Sequence, residues 1–438
     1  MIPILAWSEL SQAERGFALA RPGEPTRAGV LEDARRIVER VRTEGDAALR
    51  ALTLELDGVS LESFVVEPSE FAVAEAALAP ASRRALAQAV ETVRRFHRAQ
   101  SPSALSVETF PGVRCELVTR PIPRVGLYVP AGSAPLPSTA IMLGVPAELA
   151  GCPLRILCTP PRKDGRADPA VLVASRLSGI ERVFKLGGAQ AIAALAYGTD
   201  SVPKVDKIFG PGNVWVAAAK SLVAVDPRGA AIDLPAGPSE VLVIADGSAR
   251  AEFVASDLLA QAEHGPDAQA LLVTPALDLA RAVQGELERQ SARLARRAIL
   301  ARSLQAARIL VVDDLATAFE VSNAYAPEHL VLALAEPRAW LARVANAGAM
   351  FLGSFSPVTL GDFCSGTNHV LPTAGFARAW SGLSLADFTK RISVQELSAE
   401  GLRGLGPAAI TLSELEGLEA HGRAVSLRLR ALEEEARA

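Results

Sequence analysis

The sequence predicts an α/β protein built on two doubly wound parallel sheets, with helical segments before and after them. Three observations lead there. At 438 residues the chain is too long for one ordinary core, so two or more domains are expected. From Val113 onward, short apolar runs alternate with helical stretches, the signature of βαβ units. A second set of the same kind follows Pro238.

From about Arg27 to Gln100 the spacing predicts helices. "LEDARRIVERVRTEGDAAL" and "ASRRALAQAVETVRRFHRAQ" place Leu, Val, Ile and Ala three and four residues apart among Arg and Glu. His97 ends the second of these on a charged face and is expected to be solvated. Next, "RVGLYVPAG" reads as a strand and turn, "STAIMLGVPAELAG" as a helix and "LRILCTP" as a strand. "PAVLVASRLSG" is a helix, "ERVFKLGG" a strand and "AQAIAALAYG" a helix. After Pro238 come "EVLVIAD", the helix "ARAEFVASDLLAQAEH", "AQALLVTP", a long Ala/Arg/Leu helix and "ARILVVDD". A helix, "HLVLAL", another helix and "AMFLGSF" complete the set. A helical tail is expected after about Gly375. Its end carries Val425, Leu427, Leu429 and Leu432 on one apolar side, a face suited to another subunit or to the protein's own body.

Half the residues are apolar, enough for a large core, and the net charge of -4 argues against a nucleic-acid footprint. No apolar run is long enough to span a bilayer. The start "MIPILAWSEL" lacks the cationic and apolar regions of a secretory signal. The four cysteines, Cys115, Cys152, Cys158 and Cys364, show no CxxC spacing. A reduced, cytoplasmic enzyme is expected.

In "QAEHGPD", Gln261 and His264 are three apart and share a helix face, so both could point at one metal ion. A cap or a packed pair is the plainer reading. "AYAPEHLVL" sets Glu328 beside His329 before an apolar strand. Neighbours on a strand face opposite ways, so both reach one site only from a turn, which Pro327 offers. Such a pair can take protons near neutral pH, or it can simply cap the next element. "LGDFCSGTNHVLPT" carries Asp362 and His369, both potential ligands, and Cys364, read as a packing residue because no Lys or Arg stands beside it. "VPAGSAPLPST", "KLGGAQAI" and "FGPGNVWV" each follow a strand and open a helix, where backbone N–H groups meet phosphates. None is a true GxGxxG, so tight turns explain them equally well. "DLPAGPSEV" is a fourth punctuated loop, with Ser239 at its tip. In one continuous tail helix Glu416 and His421 would diverge by about 140° and line different parts of a bound molecule.

Together these stretches resemble histidinol dehydrogenase. The likeness rests on "RVGLYVPAGSAPL", "GGAQAIAALAYGT", "VDKIFGPGN", "DLPAGPSEVLVIAD", "VASDLLAQAEHGPD", "YAPEHL", "SGTNHVLPT" and "LADFTKRISVQELS", in order from about residue 120 to 398. The resemblance implies a zinc-dependent, NAD-linked homodimer with one Zn2+ per subunit, taking L-histidinol to L-histidine through the aldehyde. Its zinc ligands would be Gln261, His264, Asp362 and, from the partner subunit, His421. Ser239, His369 and Glu416 would contact substrate beside the zinc ligands and the catalytic pair, Glu328 and His329. Tyr128, Gln190 and Asn213 would touch the nicotinamide nucleotide. Two Rossmann-like domains are implied, one from 23–112 plus 239–375 and an NAD-contacting one from 113–238. Residues 1–22 would pack with a dimerising tail, 376–438.

In that reading His329 accepts the alcohol proton and Glu328 activates water to hydrate the aldehyde, while zinc mainly positions the substrate. Three other classes compete. A dehydrogenase of the same fold for an anionic alcohol would need an added Arg or Lys at the substrate end, where this chain keeps Ser239, His369 and Glu416. A metallohydrolase would leave the Gly-rich loops without a cofactor. A non-catalytic binding protein fits poorly with so many clustered ionisable groups.

Overall fold

A computed structural model of the chain describes residues 2–22, 27–131, 134–235 and 237–437. Gly132 and Ser133 of the first Gly-rich loop, and Ala236 of "DLPAGPSEV", lie outside them. Contacts divide the chain into two units, residues 1–100 with 122–388 and residues 101–121 with 389–438.

The first unit holds both parallel sheets. In the first sheet the spatial order is Arg182–Lys185, Leu154–Thr159, Arg124–Tyr128, Lys207–Phe209 and Ala231–Ile232. In the second it is Ile4–Ala6, Arg308–Val311, Gln269–Thr274, Glu240–Ala245, His329–Ala333 and Ala349–Leu352. Apart from the edge strand Ile4–Ala6, each sheet starts at a central strand, winds outward on one side, then returns to the other side of that strand. That reversal makes the fold doubly wound.

"EVLVIA" and "QALLVT" are buried along their whole length because helices cover both faces of the sheet. Val241, Val243 and Ala245 pack toward helices Ala251–Ala262 and Leu277–Ser291, while Leu242 and Ile244 pack toward Leu315–Tyr325. Each such side chain contributes roughly 1.5–3 kcal/mol on burial.

The N-terminal helices side with the first sheet, not with 239–375 as expected. Helix Arg27–Glu44 packs on Gly188–Tyr197 and Val214–Val225, and helix Pro80–Arg98 on Pro137–Leu149. Phe64 and Val66 also bond the edge strand Arg182–Lys185, through Lys185 N–H to Phe64 C=O at 2.7 Å and Val66 N–H to Val183 C=O at 2.9 Å. That strand would otherwise present open backbone groups. His97 is buried, not solvated: its Nδ1–H donates to Val93 C=O at 2.9 Å, and burial holds its pKa down.

The second unit is not wholly helical. Thr389–Leu397, Val113–Pro121 and Leu105–Phe110 form an antiparallel sheet, in that order. Two helices follow, Ala399–Leu415 and Glu419–Glu435. Val425 and Leu429 come close to Gly406 on the first of them, whereas Leu427 stays exposed. The expected single helix breaks at Gly417, φ 70°, so the angle reckoned between Glu416 and His421 does not apply. Glu416 ends one helix and His421 begins the next. No helix among the described residues is long and apolar enough to cross a membrane.

Candidate active site

The sequence-predicted residues of the first unit fall into two groups. Glu328, His329, Asp362, His369, Ser239, His264 and Gln261 lie around the amino ends of the second sheet's central strands. Tyr128, Gln190 and Asn213 lie at the carboxyl edge of the first sheet. Glu416 and His421 belong to the second unit and are exposed there.

The first group is organised by the main chain of Glu240. Helix Leu315–Tyr325 ends at Ala326, whose φ of 55° turns the chain sharply into Pro327. His329 then opens its strand and Glu328 stands just before it. The Glu328 carboxylate accepts the Glu240 N–H at 2.8 Å, and His329 Nδ1–H donates to the Glu240 carbonyl at 3.0 Å. Gly348 lets the next strand approach, since a Cβ there would meet the Glu328 carbonyl at 2.6 Å.

His329 is 3% exposed. Burial alone would depress its pKa, but the Glu328 charge and the Asp362 carboxylate, 3.4 Å from Nε2, raise it well above the ordinary value. Asp362 shows the reciprocal effect. Burial pushes its carboxyl up, yet the His329 imidazole holds it below the usual range. His369 donates from Nδ1 to the Asp362 carbonyl at 2.7 Å, and its Nε2 lies 3.2 Å from the Thr139 hydroxyl. Both ring nitrogens are occupied, and burial keeps the ring neutral.

His264 sits at the end of the Gln261 helix with Nδ1 3.4 Å from the Ser239 hydroxyl. The Gln261 amide is 1% exposed, and neither its oxygen nor its nitrogen has a hydrogen-bond partner. A buried amide left unpaired costs about 1–3 kcal/mol, so this position calls for a ligand. Among the described residues, no three His, Cys, Asp or Glu side chains gather as a metal-holding group. A set counting Gln261, His264 and Asp362 has only two of those types within this unit.

At the first sheet's carboxyl edge, the Tyr128 hydroxyl accepts the Gly188 N–H at 3.0 Å, and burial raises its pKa. Gln190 sends Nε2 toward Asp57, 3.4 Å away, while its buried Oε1 has no partner. Asn213 caps helix Val214–Val225 through Oδ1, taking the Trp215 and Val216 N–H groups. The carboxyl edge beside the strand where order reverses is where doubly wound sheets bind ligands.

The family model described as histidinol dehydrogenase matches residues 21–429. The chain belongs to the histidinol dehydrogenase family. It is 58% identical to a histidinol dehydrogenase of Xanthomonas euvesicatoria pv. vesicatoria (strain 85-10), covering 97% of this chain and 99% of that one. A histidinol dehydrogenase of Vibrio vulnificus (strain YJ016) is 51% identical, covering 98% of each. The crystal structure of histidinol dehydrogenase from Elizabethkingia anophelis superposes with a TM-score of 0.94 at 41% identity, covering 98% of each chain. The α/β architecture expected from the sequence is thus the architecture of the family. As a histidinol dehydrogenase the chain is an oxidoreductase that oxidises histidinol in histidine biosynthesis.

Two buried ion pairs escaped the sequence reading. Lys220 bonds Asp233 and, at 2.9 Å, the Gly210 carbonyl; Arg21 bonds Glu240 across more than two hundred residues. Neither pair has local spacing that would mark it.

Proposed function

We propose that this histidinol dehydrogenase carries out the full four-electron oxidation, L-histidinol to L-histidine through L-histidinaldehyde, with zinc and NAD. The observation that carries the reading is the Glu240 main chain holding Glu328 and His329 together, beside the unpartnered Gln261 amide.

The residues present suit both groups. Gln261, His264 and Asp362 offer the O and N donors zinc accepts, with His421 of a partner subunit as the fourth ligand, one ion per subunit. Zinc, when bound, supplies an anchor for the amine and imidazole nitrogens of the substrate. Tyr128, Gln190 and Asn213 would hold NAD, which takes the hydride in each oxidation. The unpartnered Gln190 Oε1 supports that assignment.

The chain's own groups then act as follows. Fixing Nδ1–H on the Glu240 carbonyl directs proton exchange to Nε2 of His329. Asp362, which faces Nε2 at 3.4 Å, would be one of the residues holding the metal, and His329 takes the alcohol proton at Nε2. Glu328, fixed by the Glu240 N–H, activates the water that hydrates the aldehyde. His329 assists again as the hydrate is oxidised. Ser239, His369 and Glu416 orient the substrate, His369 as a neutral ring pinned between Asp362 and Thr139. Residues 376–438 serve dimerisation, and 113–238 hold the nucleotide. The homodimer works in the cytoplasm without nucleic acid or membrane partners.

The test is stoichiometric. With zinc, NAD and L-histidinol, NADH formed per histidinol consumed should be about two, with histidine as product. A ratio stopping at one, or no NADH, would sink the reading.

A further inference from the structure

Glu240 opens the central strand of the second sheet with a carboxylate that is almost wholly buried. Such a charge is tolerated only when paired and hydrogen-bonded. Arg21 pairs it in two-pronged fashion, Nε to Oε1 at 2.6 Å and Nη2 to Oε2 at 2.9 Å. The same Nη2 donates to the Tyr325 carbonyl at 2.8 Å and lies 3.5 Å from the Ala326 carbonyl oxygen. The guanidinium also stacks 4.0 Å above the Tyr325 ring. On its other side the Glu240 carboxylate accepts the Ala374 N–H at 2.7 Å.

A second observation falls on the same residues. Among the described residues only Ala326 and Ala374 combine a side chain with positive φ, 55° and 54°. That conformation is disfavoured for alanine and persists only where the surroundings impose it. Both strained residues are therefore bonded to one ion pair. Ala326 leads directly into Pro327, Glu328 and His329, and the Glu240 main chain takes the side chains of Glu328 and His329.

We propose that Arg21 is a positioning residue: through Glu240 and the strained Ala326 turn, it sets where Glu328 and His329 stand. The inference rests on reading Glu328 and His329 as the catalytic pair. The described bonds of Arg21 run to Glu240, Tyr325 and Ala326. Its effect passes through the Glu240 backbone on one side and the Tyr325–Ala326 carbonyls on the other.

The test measures histidinol-dependent NADH formation in the zinc-loaded enzyme for R21M, R21K, R21M/A326G, E328Q and H329N. A misplacement near 1 Å costs up to about 100-fold, so R21M should lose about 10- to 100-fold in kcat with KM for histidinol within about threefold. R21K keeps the charge and one bond and should recover part of the loss. A326G supplies a residue that adopts the turn without being held. In the R21M background it should therefore raise kcat by about threefold or more.

A folded R21M with kcat within about twofold of the parent overturns the proposal, as does a loss confined to KM. So does a loss that neither lysine nor A326G repairs, because general loosening would then suffice. If R21M does not fold, R21K decides: an unchanged kcat overturns the proposal and a reduced kcat at constant KM supports it. E328Q and H329N separate the two levels. If they keep full kcat, the assignment of the catalytic pair fails. If they lose it while R21M does not, only the role of Arg21 fails.

Discussion

Replacing Lys220 with methionine should cost this enzyme about 3 kcal/mol of stability, at the low end of the range of about 3–5 kcal/mol for breaking a buried ion pair. Lys220 and Asp233 are 2% and 4% exposed. The Asp233 carboxylate takes Lys220 Nζ, the Gly210 N–H at 2.7 Å and the Leu234 N–H at 2.7 Å. Methionine fills the stem of the lysine, so packing is largely kept. What is lost is the counter-charge and the donor to the Gly210 carbonyl, the latter alone being worth about 1–3 kcal/mol. The two remaining amide donors soften the loss, which places the figure low in the range. Because the Gly210 carbonyl loses its donor while Asp233, which accepts the Gly210 N–H, loses its counter-charge, the loop to Asn213 should shift, and on the proposed reading NAD should bind about tenfold more weakly, equivalent to about 1.4 kcal/mol. Gly210 has no slack, since a Cβ there would collide with the Tyr128 carbonyl oxygen. Urea unfolding and a fluorescence titration with NAD provide the two readouts. Adding Asp233→Asn to the methionine variant should return about 1–2 kcal/mol by removing the stranded charge. A midpoint shift worth less than about 1 kcal/mol, or no recovery in the double variant, would refute the reasoning.

Replacing Gln261 with alanine should lower zinc retained after dialysis, read by atomic absorption, while circular dichroism stays unchanged; full zinc content in the variant would remove Gln261 from the ligand set. Asp257 is buried enough to raise its carboxyl pKa from 3.8 to about 6, so its stability contribution is intact below 3.8 and is lost as pH rises to about 6. The gap of about 2 pH units corresponds to about 3 kcal/mol at most, and Asp257→Asn should therefore gain roughly 1–3 kcal/mol at pH 8 but nothing at pH 4. Equal gains at both pH values in urea titrations would show that desolvation of Asp257 is not the cause. Mixed dimers of His421→Ala and Gln261→Ala chains should regain activity that neither homodimer has; an inactive mixture would end the proposal of a site shared between subunits.

Most of the sheet strands were legible because they are short apolar runs bounded by Gly and Pro, and a parallel sheet buries such runs on both faces. "EVLVIA" could hardly be anything else. "TKRISVQEL" was not legible, since nearly every residue of that strand is exposed and no apolar face marks the alternation. His97 misled for the opposite reason. Its helix is rich in arginine, but the ring lies on the one face that packs inward, against Val93 and Asn368. Local motifs announced Gln261, His264, Glu328, His329, Asp362 and His369. What spacing cannot announce is pairing across long stretches of chain, so Arg21 with Glu240 and Lys220 with Asp233 emerged only from the fold.

The fold places the two candidate halves at opposite kinds of sheet edge, and electrostatics gives a reason. The first sheet's carboxyl edge is where helices Pro137–Leu149, Gly188–Tyr197 and Val214–Val225 begin, so N–H groups and the positive ends of helix dipoles point there. That suits a pyrophosphate. The second sheet's amino edge is where helix Ala251–Ala262 ends, presenting carbonyls and the negative end of its dipole beside Gln261. That suits a metal cation or a protonated amine, by about 0.3–1 kcal/mol for an exposed charge and more in a partly buried setting. The two edges are linked by side chains. The Thr139 hydroxyl, at the start of the Pro137–Leu149 helix, lies 3.2 Å from His369 Nε2; His369 donates to the Asp362 carbonyl; and the Asp362 carboxylate lies 3.4 Å from His329 Nε2. On the reading proposed above, the amino edge would anchor the alcohol through the cation and the carboxyl edge would anchor the nicotinamide through its phosphates. His369, held at both ring nitrogens and with its pKa lowered by burial, is the side chain that bridges the two edges.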